Sequence, residues 1–177
     1  MFSLSQQKAK LTSVNPRSEI HGDEHKMAVD LKFNIKVSND VLSEFHPSLK
    51  SALYEKADES SGQAALIDEP GHLPSLKFPQ LSPLKWDWEG AGYATIVHWG
   101  VSGKDDILMI QTEIDNFKFE CQDGGTVGVS FRVIVHPEPV ELGRLCEMIQ
   151  QEVSLSLEPP SAEEQYQQQL KDAEDEE

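Results

Sequence analysis

Apolar and polar residues alternate without a break from Val29 to Val37. Val29, Leu31, Phe33, Ile35 and Val37 share one face, while Asp30, Lys32, Asn34 and Lys36 share the other. A period of two predicts a strand with one buried and one wet face. The run Lys8 to Val14 is a weaker strand, and Asn15-Pro16 followed by the polar stretch Arg17 to Lys26 predicts a long-looped hairpin joining the two. Past Val37 the period changes. Ser38 or Asn39 can cap a helix in which Val41, Leu42, Phe45, Leu49 and Leu53 recur at three- and four-residue spacing, with Pro47 breaking or restarting it. From Ala57 to Pro83 the chain turns to Ser, Gly, Asp and Pro, with only Leu76-Lys77-Phe78 extended. That is long for a passive connection and marks a binding loop.

The second half reads as a meander. Lys85-Trp86-Asp87-Trp88-Glu89, the break Gly90-Ala91-Gly92 and the alternating run Tyr93 to Val101 predict one bent strand or a strand pair. Ser102 to Asp106 turns into a strand from Ile107 to Cys121 whose phase slips, which places a bulge near Ile114. Gln122-Asp123-Gly124-Gly125 is a hairpin turn, and Val127, Val129, Phe131, Val133 and Val135 return as a strand. Pro139 to Glu152 carries Leu142, Leu145, Cys146, Ile149 and Val153 on one helical stripe, with Glu138 and Glu141 near its positive end. Ser154 to Leu157 adds a short strand before Pro159-Pro160. The expected fold is α+β: an antiparallel, strongly twisted sheet, made of a meander and an N-terminal hairpin and covered by two helices. It occupies residues 1–160, followed by a disordered acidic tail over 161–177.

Charge narrows the function. Lys and Arg total 15 against 31 Asp and Glu in 177 residues, a formal charge of -16. Such a balance repels polyphosphate and disfavours general DNA binding, although it leaves room for a local basic groove. The tail holds seven acids and one Lys, so -10 of the -16 belongs to residues 1–160, and the folded part is itself acidic. A basic protein partner, one that handles nucleic acid, fits this charge best. With two cysteines and no close Cys spacing, no disulfide framework is expected, and both thiols read as buried. The chain has no apolar run of membrane-spanning length and no signal-type segment, so the expected location is the cytoplasm.

Candidate chemistry is sparse. His21-Gly22-Asp23-Glu24-His25 crowds two imidazoles and two carboxylates into one polar loop, but a mobile loop lacks the fixed geometry of a metal site, and the cluster reads as a solvated turn. Asp30-Leu31-Lys32 matches the acid-x-Lys part of some metal-dependent nucleases, yet the acids before Asp30 fall in the predicted loop. Ser102-Gly103-Lys104 lacks the glycines of a phosphate loop, and no Gly-x-Ser-x-Gly elbow occurs. No catalytic residue, cofactor or metal ligand is assigned. The aromatic cluster Trp86, Trp88, Tyr93 and Trp99 serves either as core or interface, or as a stacking platform for bases, with Lys85 and Lys77 as thin basic complement. Trp86, Trp88, Glu89, Trp99 and the tail residues Glu174, Asp175, Glu176 and Glu177 are therefore the expected partner-binding positions. The tail reads as a solubilising segment, a self-inhibiting mimic of nucleic acid or a docking peptide.

Several segments carry a family likeness: Asn15-Pro16-Arg17-Ser18-Glu19 with His21-Gly22-Asp23-Glu24, Val37 to Leu42, Pro83-Leu84-Lys85-Trp86, Gln122 to Val127 and Leu145 to Gln151. In these the chain resembles an uncharacterised family of phage and prophage proteins, over most of its length up to Pro160. The resemblance implies gene neighbourhoods of DNA replication and recombination, and a host cell's cytoplasm as location. It brings no catalytic motif. The leading expectation is a non-enzymatic phage accessory protein whose acidic surface binds a protein of nucleic-acid metabolism or host defence, as a DNA mimic or inhibitor. The alternative is a single-stranded DNA-binding or recombination-assisting protein with the tail as regulator.

Overall fold

In a computed structural model the described residues are 1–21, 24–57, 71–100 and 103–162. Two long strands open the chain, β1 (Leu4–His21) and β2 (Glu24–Ser38), paired antiparallel from Ala9 opposite Ile35 to His21 opposite Glu24. Arg17 to His21 and Glu24 to Lys26 are therefore strand rather than the long loop expected from their polarity. The segment is polar because this part of the hairpin extends past the barrel body as a two-stranded arm, wetted on both faces: Ile20 is 70% and Met27 37% exposed. Pro16 is tolerated there because β1 has no second strand partner beyond Lys10, and a strand edge does not need every N–H.

Five further strands complete the main sheet. They are β5 (Leu84–Trp86), β6 (Gly90–His98), β7 (Ile107–Gln122), β8 (Thr126–Val135) and β9 (Glu152–Glu158). β8 runs along β2 from Val29 opposite Val135 to Ser38 opposite Thr126, and returns along β7 through the turn expected at Gln122 to Gly125. β6 pairs with the first half of β7 on one side and with β9 on the other, and β9 pairs with β1. The cycle β7-β6-β9-β1-β2-β8-β7 closes a six-stranded antiparallel barrel, with β5 as an extra strand on the second half of β7.

This overturns the expected sheet covered by two helices. Helix accounts for only 15% of the described residues. The strand that changes the architecture is β9: Val153, Leu155 and Leu157 point inward with exposures of 4%, 0% and 0%. The sequence reading placed Val153 on a helix and left Ser154 to Leu157 as a short addition. Inserted between β1 and β6, this strand lets the sheet close on itself, so each inward face is covered by strands across the barrel instead of by helices. The helices that exist are short. α1 (Leu42–Phe45) and α2 (Leu49–Leu53) are separated at Pro47, as expected, and Ser38 accepts the Asp40 amide hydrogen to cap the 3-10 turn before them. α3 (Pro139–Glu147) starts on a capping box between Glu138 and Glu141 but stops before the expected Glu152. Leu145 and Met148 pack inward, whereas Cys146 and Ile149 are exposed, so the stripe expected there is not one helical face. Cys146 is thus not a buried thiol, and Cys121 is only half-buried.

The interior is filled by Leu11, Leu31, Phe33, Ile35, Phe117, Phe119, Phe131, Val133 and Leu155, all at 2% exposure or less. Inside it Thr95 and Thr112 bond to each other at 2.8 Å, and Thr112 also donates to the Tyr93 carbonyl, so neither hydroxyl is left unsatisfied. Of the expected binding loop, residues 58–70 lie outside the described set. The remainder is strapped to one end of the barrel: β3 (Tyr54–Glu55) pairs with β4 (Ser75–Leu76), Asn39 donates to the Leu73 carbonyl, and Gly124 donates to that of Pro74.

Candidate anion-binding wall of the barrel

β7 bulges twice, with Gln111 and Asn116 in the left-handed region at φ 54° and 58°. The second bulge, a register shift between Asp115 and Lys118 against β8, is the one expected near Ile114. It keeps Ile114 and Phe117 both inward and turns Asn116 and Lys118 outward. The outward residues of β1, β2, β8 and β7 then meet in a groove of about 240 Å³ on the barrel's outer wall. Its lining carries the outward side chains of Thr12, Lys32, Asn34, Asn116, Lys118, Ser130 and Arg132, over strand positions Phe33 and Phe131, whose rings are buried in the core.

Strand register arranges these groups in rows. Lys10 lies opposite Asn34, Asn34 opposite Ser130, Ser130 opposite Lys118, and Lys118 opposite Lys85, a single row crossing five strands. Asn34 Nδ2 donates to Ser130 Oγ at 3.0 Å and fixes its middle. The next row runs Ser13, Lys32, Arg132, Asp115. Arg132 is already held: it donates to both oxygens of Asp115 at 2.8 and 2.5 Å and to Asp30 at 3.2 Å, and the Asp115 bonds raise its pKa above the ordinary guanidinium value. Arg17 takes the other Asp30 oxygen at 3.0 Å. The ammonium groups of Lys10, Lys32, Lys85 and Lys118 make no ion pair or hydrogen bond to another described residue, although the Lys32 carbonyl accepts from the Thr12 hydroxyl at 2.9 Å. A wall of unpaired ammonium groups between amides and a hydroxyl is suited to an extended anion, a chemistry the net charge of the chain conceals.

The expected site residues do not gather here. Trp86 and Trp88 are half-buried in an aromatic cluster with Phe45, Phe117 and Phe119, where the Phe45 ring lies 4.8 Å from Phe119 and 6.0 Å from Trp88. Tyr93 is buried, and its hydroxyl donates to the Phe2 carbonyl at 2.9 Å. Trp99 lies past the end of β6 opposite to Trp88, with the nine-residue strand, about 25 Å long, between them, and is 38% exposed. The tryptophans therefore do not form one platform. Glu89 is exposed beside Trp88. Glu174, Asp175, Glu176 and Glu177 lie outside the described residues. The wall could have been found from the sequence by noting that Lys32 and Lys118 both occupy outward strand positions, but their pairing through β8 required the register.

Asp30 was set aside as a nuclease ligand because the acids before it were placed in a loop. Glu19 in fact stands on β1, but both Asp30 oxygens are taken by arginines. Of the His21 to His25 cluster, His21 and Glu24 pair at the end of the hairpin and the His25 ring bonds Ser18 Oγ at 3.2 Å. Among the described residues no cluster of three or more metal-ligating side chains occurs.

A serine-histidine-aspartate chain exists that the sequence did not reveal. Ser156 Oγ lies 2.8 Å from His98 Nε2, and His98 Nδ1 lies 2.7 Å from Asp106. The spacing matches a hydrolytic triad. The surroundings do not: Ser156 is 5% exposed, so a substrate has little access to its oxygen, and that oxygen accepts the Gln6 amide hydrogen at 2.9 Å with one of its two lone pairs. Asp106 in turn accepts the Trp99 amide hydrogen and the His98 bond, and these hold its carboxyl below the usual range. The chain is a brace across the β1 bulge at Gln6, where φ is 46°.

No protein-family model, no curated protein and no solved structure matches this chain. No helix among the described residues is long and apolar enough to cross a membrane.

Proposed function

We propose that the chain is a non-enzymatic accessory protein of phage nucleic-acid metabolism that holds the backbone of a single nucleic-acid strand on its barrel wall. The observation that carries this reading is the row Lys10, Asn34, Ser130, Lys118, Lys85 with Lys32 beside it, four lysines left unpaired in a chain of net charge -16. The wall carries no exposed aromatic, so recognition is of phosphate, without base stacking, and is independent of sequence.

Fluorescence anisotropy of a labelled oligothymidine at low salt tests it, using the full chain and the double variant Lys32→Glu, Lys118→Glu. Binding should weaken with salt, and because single strands release about 0.7 counterion per neutralised phosphate, loss of two contacts should flatten the log-log slope by about 1.4. An unchanged slope, or no binding at low salt, removes the reading.

A second reading rests on the charge of the same chain: residues 1–160 are -10 without the tail. In that reading the acidic surface occupies the basic channel of a DNA-handling or host-defence protein as a mimic. Its mark would be release of labelled DNA from such a protein by the full chain, with no binding of the strand to the chain itself.

A further inference from the structure

The seven acids of residues 163–177 stand against one lysine, and the strand-binding reading leaves them without a task. We infer that this segment occupies the lysine row of its own barrel wall when no strand is bound, as an intramolecular competitor. The inference rests on the proposed function for its regulatory meaning, but the docking itself does not. Three observations carry it.

The first is complementarity. The wall presents four ammonium groups that form no ion pair with a described residue, with Glu152 opposite Lys10 as the one carboxylate in the row, and the segment presents carboxylates at Glu163 and Glu164 and again from Asp172 to Glu177. Carboxylate and phosphate are recognised by the same lysine chemistry, as point charges with rotatable donors. The second is reach. β9 ends at Glu158, and six residues back along it Glu152 is paired with Lys10, the first residue of the row, about 20 Å away. Fifteen residues beyond Ala162 extend to about 50 Å, more than the roughly 30 Å width of a small domain. The third is the arrangement of the two acid groups. They are separated by six uncharged residues and Lys171, so the segment can lie across the wall with one group at each end.

A tethered anion is present at millimolar effective concentration, so even a weak contact fills the wall for most of the time. The strand then binds only the open fraction, and its apparent affinity falls in proportion to that fraction. A wall closed nine-tenths of the time weakens binding about tenfold.

Zero-length carbodiimide cross-linking of the full chain at low salt, read by mass spectrometry, tests docking without any nucleic acid. Cross-links from the segment's carboxylates should concentrate on Lys10, Lys32, Lys85 and Lys118, and not on Lys26, Lys50, Lys77 or Lys104. In parallel, a full-length chain with the seven acids changed to Gln and Asn should bind labelled oligothymidine several-fold to about tenfold more tightly. Cross-links spread evenly over the lysines, or none at low salt, overturn the inference. So do cross-links that form only between molecules in a mixture of isotopically light and heavy chains. Wall cross-links with no strand binding by either chain leave the docking standing and sink the strand-binding function. Equal strand binding by both chains, without wall cross-links, does the reverse.

Discussion

Ser156 shows how a single outward side chain can look catalytic and act as a brace. Bulging of β1 at Gln6 takes that residue's N–H out of the ladder, and Ser156 Oγ accepts it at 2.9 Å while His98 and Asp106 hold the serine in place. Ser156→Ala removes the partner of the part-buried Gln6 N–H, which costs about 0.5–1.5 kcal/mol. A urea denaturation series should therefore lose that much stability, with a lowered midpoint and unchanged slope. A hydrolytic reading predicts instead that an activated-serine probe labels the wild-type chain and not the variant, and labelling of Ser156 would overturn the brace. Neither half of this was legible in the sequence. His98 and Ser156 lie on strands that meet only because β9 lies beside β6, and the bulge at Gln6 leaves no mark in the hydrophobic pattern.

At the scale of elements, β7 was legible in outline and irregular in detail. Its phase slip between Ile114 and Phe117 is visible as two inward residues three apart, and the bulge there gives the groove its shape. Its first bulge was not visible, because Ile110 in the exposed row looks like a core residue: it is 69% exposed. Gln111 carries that bulge at φ 54° with its side chain in solvent, so packing does not confuse its energetics. A β-branched residue there meets the left-handed penalty in full. Gln111→Val is expected to cost about 1–2 kcal/mol. Gln111→Gly should change stability by less than about 0.5 kcal/mol, since relief of strain and the entropy of glycine in the unfolded chain oppose each other. Equal midpoints for Val and Gly in denaturant would show that the bulge is absent in solution. The arm of β1 and β2 teaches the converse lesson. Polarity was read as loop from Arg17 to Lys26, yet a hairpin with water on both faces needs no apolar alternation to stay paired, only its backbone ladder.

For the whole molecule, the strand pattern was readable and the closure was not. Local alternation predicts individual strands, but a barrel depends on which strands meet, and the decisive pairing joins Leu4 to Leu157 across nearly the entire chain. Charge is the other global property, and it has a consequence for stability. At -16 the folded state repels itself more than the expanded chain does, so neutralising carboxylates should stabilise it until specific bonds begin to fail. Those bonds are identifiable. Lys50 and Ser38 hold Asp40 below the usual carboxylate range, and the Trp99 amide with His98 does the same for Asp106. A depressed folded-state pKa gives stability that is fully present above the unfolded value, about 3.9, and is lost as pH falls through the folded value. The two effects therefore act in different windows. Between pH 7 and about 5 the first glutamates begin to protonate, with an ordinary pKa near 4.3, while Asp40 and Asp106 keep their bonds. The thermal midpoint followed by circular dichroism at low salt should thus rise modestly from pH 7 to 5 and fall below about pH 3.5. At physiological salt, where charges more than about 8 Å apart are screened, the rise should shrink while the acid fall remains. A midpoint that drops steadily from pH 7 at low salt would mean that carboxylate bonds, and not self-repulsion, dominate the electrostatics of this barrel.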